Sequence, residues 1–255
     1  MRKTVVAGNW KLNNTIAESI ELVTLLKREL SDVEGVEIVV CPAFTALVEV
    51  GEVLLESNIK LGAQDLFWEA RGAFTGEVSG ALLRDAGCAY VIIGHSERRQ
   101  YFHESDEDVH KKTKAALEAG LTPIVCCGET LDERMSEKTQ AVLTRQLEGA
   151  FKGFSSAEVL RCVIAYEPVW AIGTGKVATP REAEEGHLFI RGLLGKAHNS
   201  TVGSETVILY GGSVRPENAH ELLRKPDVDG FLVGGASLDA EAFVQIVRAS
   251  VEVKV

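Results

Sequence analysis

One stretch of this chain joins an apolar run to a lone carboxylate: Cys162-Val163-Ile164-Ala165-Tyr166-Glu167-Pro168-Val169-Trp170-Ala171-Ile172-Gly173-Thr174-Gly175-Lys176. The first five residues suit a strand. Pro168 then blocks ladder pairing at its own nitrogen and keeps Glu167 extended. An apolar turn follows, and after it two glycines around Thr174. A glutamate at a strand tip, beneath an apolar loop able to fold over it, reads as a general base under a lid.

Other apolar runs also end on groups that could do chemistry. They are Gly8-Asn9-Trp10-Lys11, Gly94-His95-Ser96-Glu97-Arg98, Gly211-Gly212-Ser213 and Gly234-Gly235-Ala236-Ser237. Each has an ordinary explanation when taken alone. Lys11 could be a solvated loop charge, His95 a hydrogen-bonded structural residue, Glu167 a cap or ion-pair partner. Glycine pairs mark turns that need positive φ. Chemistry requires that one architecture bring these ends to one place. If it does, the two glycine pairs offer backbone amides to an anion such as phosphate, and Gly173 can add another when the lid closes.

The elements behind these ends decide the architecture. Runs suited to strands begin near Thr4, Val36, Ile59, Ala89, Leu121, Arg161, Thr206 and Asp229. Their spacing is roughly 23 to 45 residues, the range of a βα repeat. Runs such as Ile38-Val39-Val40 and Val91-Ile92-Ile93 barely alternate, so both faces are covered, as in a parallel sheet. Helices are predicted over residues 15–30, 44–56, 78–86, 106–119, 135–151, 180–196, 216–223 and 240–250. Ser105 and Asp108 form a capping box for the fourth, and Gly120 suits the position just past its end. Eight strands and eight helices predict an α/β protein, a single closed (β/α)8 barrel of parallel strands spanning residues 1–255. A doubly wound sheet competes, but no G-x-G-x-x-G follows the first strand, and no linker marks a second domain. In a closed barrel active groups gather past the carboxyl ends of the strands, which is where the five segments fall, and phosphate recurs after strands seven and eight.

Composition narrows the partners. At 255 residues with 45% hydrophobic and 25% charged residues, the chain has material for an ordinary globular core. A net charge of −10 argues against nucleic acid. A first strand starting at Thr4 leaves no room for a signal or transit peptide, and no apolar run reaches the roughly 18 residues of a membrane span. Cys41, Cys88, Cys126, Cys127 and Cys162 show neither zinc spacing nor a disulfide framework. A cytoplasmic protein without metal or other cofactor is expected.

The five strand-end segments together with Tyr210-Gly211-Gly212-Ser213-Val214 resemble the triosephosphate isomerase family, in order and without large insertions from about residue 4 to 250. The resemblance implies the TIM-barrel fold and the interconversion of dihydroxyacetone phosphate and D-glyceraldehyde 3-phosphate through an enediolate, a step of glycolysis and gluconeogenesis. It makes Glu167 the base, His95 the group that as a neutral imidazole polarises the carbonyl and moves protons between the two oxygens, and Lys11 the cation facing substrate charge. Asn9 would help hold the substrate, Glu97 would support Lys11 and His95, and Gly173, Ser213, Gly234 and Gly235 would bind phosphate through amides. The hinges would be Pro168-Val169-Trp170 and Lys176-Val177-Ala178. The family is itself a well-known example of a histidine kept neutral by a helix N-terminus.

After the third strand runs Gln64-Asp65-Leu66-Phe67-Trp68-Glu69-Ala70-Arg71-Gly72-Ala73-Phe74-Thr75-Gly76, long and rich in aromatics. Its rings either fold back on their own barrel or meet a partner. The resemblance implies a homodimer through this loop, residues 65–76, with Thr75 supporting the neighbouring site. Leu12, Asn14, Asp65, His103 and Gly186-His187 depart from the commonest family pattern, and Asn14 and Asp65 fall near the expected interface. Another phosphosugar barrel enzyme or a noncatalytic barrel are the competing functions. An epimerase would want metal ligands or paired acids at the strand tips; a scaffold would not need Glu167, His95 and Lys11 together.

Overall fold

Eight parallel strands close on themselves in sequence order: β1 (Thr4–Asn9), β2 (Val36–Cys41), β3 (Ile59–Ala63), β4 (Tyr90–Ile93), β5 (Thr122–Cys127), β6 (Val163–Tyr166), β7 (Val207–Tyr210) and β8 (Gly230–Val233). The ring is completed where β1 meets β8, from Val5 opposite Gly230 to Gly8 opposite Val233. The computed structural model describes residues 2–173 and 177–254. Thr174, Gly175 and Lys176, which belong to the expected lid and its second hinge, lie outside the described residues.

Side chains alternate across each strand with period two, and the alternation sorts the core into two layers. Val5, Ala7, Val39, Cys41, Ile92, Ile124, Cys126, Val163, Ala165, Leu209 and Leu232 pack together inside the barrel. Val6, Ile38, Val40, Val91, Ile93, Val125, Ile164, Ile208 and Val233 pack outward with helix residues such as Leu22, Leu26, Val109 and Leu143. Two steps beyond the last interior residue of β1, β6, β7 and β8 stand Asn9, Glu167, Gly211 and Gly234. The same count on β4 reaches Gly94, whose φ of +70° redirects the chain and brings His95 to the mouth.

The helical layer is more broken than one helix per strand. Ser105 and Asp108 form the expected box on Asp106–Glu118, and Gly120 follows with φ +75°. Residues 44–56 begin instead as a 3-10 turn, Phe44–Ala46, before the helix Leu47–Val53. The helix expected over 135–151 starts at Thr139, because Met135 belongs to a separate helix, Leu131–Met135, capped by Thr130 and Glu133 and followed by Glu137 at φ +56°. At the amino end of the barrel, Arg191 donates all five N–H groups, to Asp227 Oδ1, Asp229 Oδ2 and the carbonyls of Gly203, Thr206 and Asp227. Arg2 binds the other oxygen of Asp229 at 2.6 Å. All five cysteines are free and buried, and burial pushes the thiols of Cys88 and Cys162 up to about 12.

Candidate active site

A cavity of about 660 Å³ opens at the carboxyl ends of the strands, and Asn9, Lys11, His95, Glu97, Glu167, Gly173, Ser213, Gly234 and Gly235 all line it. Every residue singled out as a candidate in the sequence is therefore brought to one chamber. A larger cavity of about 870 Å³ lies beyond Glu167, toward Arg99, Arg145, Gln146 and Trp170. Its Arg99 and Arg145 are both committed to Asp106. Size alone would favour that cavity, but the ammonium, the imidazole and the glycine amides converge on the smaller one.

Glu167 is 2% exposed, and protein groups hold both of its oxygens. Oε2 accepts from the Ser96 amide at 2.8 Å, and Oε1 lies 2.9 Å from His95 Nε2. Its backbone is fixed as well, since its N–H donates to Cys127 O at 2.7 Å. Glycines make this fit possible. A Cβ at Gly211 would stand 2.9 Å from Glu167 Cγ, and one at Gly128 would overlap the Glu167 carbonyl.

His95 caps the helix Ser96–Tyr101, and its Nδ1 accepts from the Glu97 amide at 3.2 Å. An acceptor at Nδ1 puts the neutral ring's proton on Nε2, facing Glu167 and the chamber. Burial would lower the pKa of His95, but Glu167, helped by Glu97, outweighs burial and holds it above its ordinary value, with Lys11 opposing. The helix N-terminus, on which the expectation of a neutral ring rests, acts in the opposite direction. That helix is only six residues long, and a buried carboxylate faces the ring. Burial likewise would raise Glu167, and His95, the Ser96 amide and Lys11 together bring it below its ordinary value.

Lys11 holds an uncommon backbone position, φ +53°. Its N–H donates to Asn9 Oδ1 at 3.0 Å and its Nζ to Glu97 Oε1 at 2.7 Å. A Cβ at Gly234 would come within 3.4 Å of Lys11 Cε, so that glycine leaves the ammonium room. The two glycine pairs differ. At Gly212 an added Cβ would strike the Tyr210 hydroxyl at 2.2 Å, so protein packing demands the glycine there. At Gly235 nothing lies within 4 Å, which leaves open space against the backbone for a ligand. Ser213 is already engaged, its N–H and Oγ both donating to Ala171 O, at 3.2 and 2.7 Å.

Four participants carried no signal in the sequence: the Ser96 amide, Gly128, Glu129 and Arg134. Buried Glu129 accepts from Tyr166 Oη and from Trp170 Nε1 at 2.9 Å. Arg134 stacks over the Trp170 ring at 4.3 Å and binds Glu182 Oε1 at 2.6 Å. The first hinge is thus tied to the helix Pro180–Ala197 that follows the second.

The triosephosphate isomerase family model matches residues 4–250. A triosephosphate isomerase of Endomicrobium trichonymphae is 55% identical over 250 residues, covering 98% of this chain and all of the relative. One of Pelobacter propionicus is 56% identical over 248 residues, covering 97% of this chain and 99% of the relative. The crystal structure of triosephosphate isomerase from Bartonella henselae superposes with a TM-score of 0.88 at 40% identity, covering 97% of this chain and 98% of that one. With a buried glutamate, an imidazole and a lysine at one barrel mouth and a match over nearly its whole length, the chain belongs to the triosephosphate isomerase family.

Proposed function

We propose that Glu167, His95 and Lys11 carry out the family reaction in this chain, the interconversion of dihydroxyacetone phosphate and D-glyceraldehyde 3-phosphate used in glycolysis and gluconeogenesis. The observation that carries the assignment is the single chamber shared by the Glu167–His95 pair, the Lys11 ammonium and the open amides near Gly234 and Gly235. Glu167 leaves Ser96 and His95 and takes the proton from the carbon beside the substrate carbonyl. His95 Nε2–H donates to the carbonyl oxygen, where negative charge develops. Lys11 offsets the charge of enediolate and phosphate. His95 passes its Nε2 proton to the carbonyl oxygen, making it a hydroxyl, and takes back the proton of the other hydroxyl, whose oxygen becomes the new carbonyl. The Glu167 carboxylic acid returns its proton to the neighbouring carbon, completing the isomerisation.

Gly173, Ser213, Gly234 and Gly235 receive the phosphate. The Ser213 amide serves it once released from Ala171, a change that accompanies movement of the loop after Trp170. Closure over the enediolate keeps water out and holds the phosphate against elimination. The reading is tested by a coupled assay of glyceraldehyde 3-phosphate isomerisation with no added nucleotide or metal, run on the native chain and on Glu167→Gln. Turnover in the native chain with a loss of about 10² to 10⁴ in the variant is expected; near-native kcat in Glu167→Gln overturns the base assignment.

The functional unit is a homodimer formed through loop 65–76, with Thr75 reaching the neighbouring site. What supports this is the run of exposed apolar side chains past consecutive strands: Leu12 after β1, Phe44 and Val48 after β2, Phe74 after β3, and Tyr101 and Phe102 after β4. Phe67 and Trp68 fold back in part, with ring centroids 4.2 Å apart, while residues 69–77 stay exposed. Sedimentation should find two copies; a fully active monomer overturns the proposal. Five free, buried thiols suit a cytoplasmic setting.

A further inference from the structure

The backbone around Lys11 is held from three sides, and one of the holders lies outside the turn. Asn9 Oδ1 takes the Lys11 N–H, and Asn13 Nδ2 donates to Trp10 O at 2.7 Å, both from within the turn itself. The Lys11 carbonyl is bound by Gln64, whose Nε2 donates to it at 2.8 Å and also to Cys41 O at 3.0 Å. Two carbonyl oxygens facing one terminal atom admit only the amide nitrogen there. Cys41 O also accepts from the Trp10 amide, so Gln64 pins the exit of β1 to the end of β2. Within its own chain nothing packs over the next residue, since Leu12 is 98% exposed.

A non-glycine residue at φ +53° persists only where its surroundings over-determine it. We infer that Gln64 is a positioning residue for the isomerisation: its amide holds the Lys11 carbonyl so that the left-handed turn aims the ammonium at Glu97 and the substrate chamber. The inference rests on Lys11 being the cation that faces substrate. Without the donor, two carbonyls lose their partner and the turn is free to relax to negative φ, which swings the side chain away from Gly234. Gln64 also opens loop 65–76, so the same residue sits where the exposed loop leaves the barrel.

The test is a double-mutant cycle on Gln64→Met and Lys11→Ala, reading kcat, KM and the dissociation constant for 2-phosphoglycolate, a carboxylate mimic of the enediolate. Gln64→Met, folded by circular dichroism and assayed well below its melting temperature, should lose about 10- to 100-fold in kcat/KM and bind the mimic more weakly. In the Lys11→Ala background the same change should cost less than about twofold in mimic binding. An equal loss in both backgrounds, or a lowered melting temperature with kinetics within twofold, overturns the positioning role. Unchanged kcat/KM in Lys11→Ala alone overturns the lysine assignment and the inference with it. Gln64→Glu gives an independent readout if the methionine variant folds poorly. Its carboxyl donates only when protonated, so kcat/KM relative to native should fall as pH rises, and a flat ratio contradicts the inference.

Discussion

Glu167 and His95 face each other across 2.9 Å at the mouth of the barrel, each the chief charged influence on the other. They titrate as a pair. Glu167 is lowered in the fold, so its contribution to stability is present above its ordinary value of 4.5 and is lost as pH falls through its folded value. His95 is raised, so its contribution is complete below 6.5 and is lost as pH rises through its folded value. Both contributions are therefore full between 4.5 and 6.5. Glu167→Gln should remove the main upward influence and drop the His95 titration below that of an ordinary histidine. Imidazole ¹⁵N shifts followed against pH report it, and an unmoved titration would show that Glu97 dominates instead.

Gly211 is held by its N–H bond to Tyr166 O at 2.7 Å, so an alanine there cannot step aside. Its methyl would press on Glu167 Cγ. Gly211→Ala should fold and still lose about 10²-fold in kcat/KM, the cost of misplacing the proposed base. A crystal structure of the variant with Glu167 still on Ser96, or unchanged kinetics, would refute this.

Asp65 is buried rather than presented at a surface, bound through both oxygens by Lys112 at 2.7 and 2.8 Å and at 3.0 Å by Arg98. Burial raises its carboxyl to about 6, with Lys112 opposing and Glu104 adding. An acid raised in the fold binds more protons there than when unfolded, so its penalty is full above 6 and shrinks as pH falls toward 3.8. Asp65→Asn should raise the melting temperature at pH 7, by about 2 to 4 °C for each kcal/mol gained, and gain less at pH 5. Melting curves at the two pH values measure this; a variant that melts lower at pH 7 would mean that the ion pairs outweigh the burial.

At the opposite end, Arg191→Met strips five hydrogen bonds and leaves Asp229 with Arg2 and the Ile208 amide. Losing one partner of such a buried network costs about 3 to 5 kcal/mol. Denaturant unfolding should record that loss while kcat stays native in the folded fraction. Arg191→Lys should not rescue it, because one ammonium cannot replace a fork of five donors. A stability change under about 1 kcal/mol would discount the network.

The barrel was legible because eight strand-like runs recur at βα spacing, and Glu167 was legible as a strand tip because Pro168 ends its run. That Val163 and Ala165 face inward, with Glu167 next on the same side, came from the structure, since runs that barely alternate do not mark their inner face. Helix breaks were not legible, since Glu137 at φ +56° leaves no mark of the kind glycine leaves. The candidate residues sit at strand exits and were found there. Their partners were not, because Gln64, Ser96, Glu129 and Ala171 act across the closed ring through backbone groups or ordinary side chains. Glycines carried a second reason that was not legible: Glu167 and Tyr210 exclude a side chain at Gly211 and Gly212, whatever those residues' amides bind.

The Ala171 carbonyl occupies both donors of Ser213. On the assignment of Ser213 to phosphate, that oxygen is a tethered competitor, a ligand the protein carries for its own site at a concentration set by the chain. Any phosphate-bearing molecule must displace it, and its observed affinity is reduced by the fraction of time the carbonyl is seated. On that proposed assignment the triose would use part of its phosphate binding to move the Ala171 carbonyl, and closure over the substrate would be a displacement reaction at a single serine.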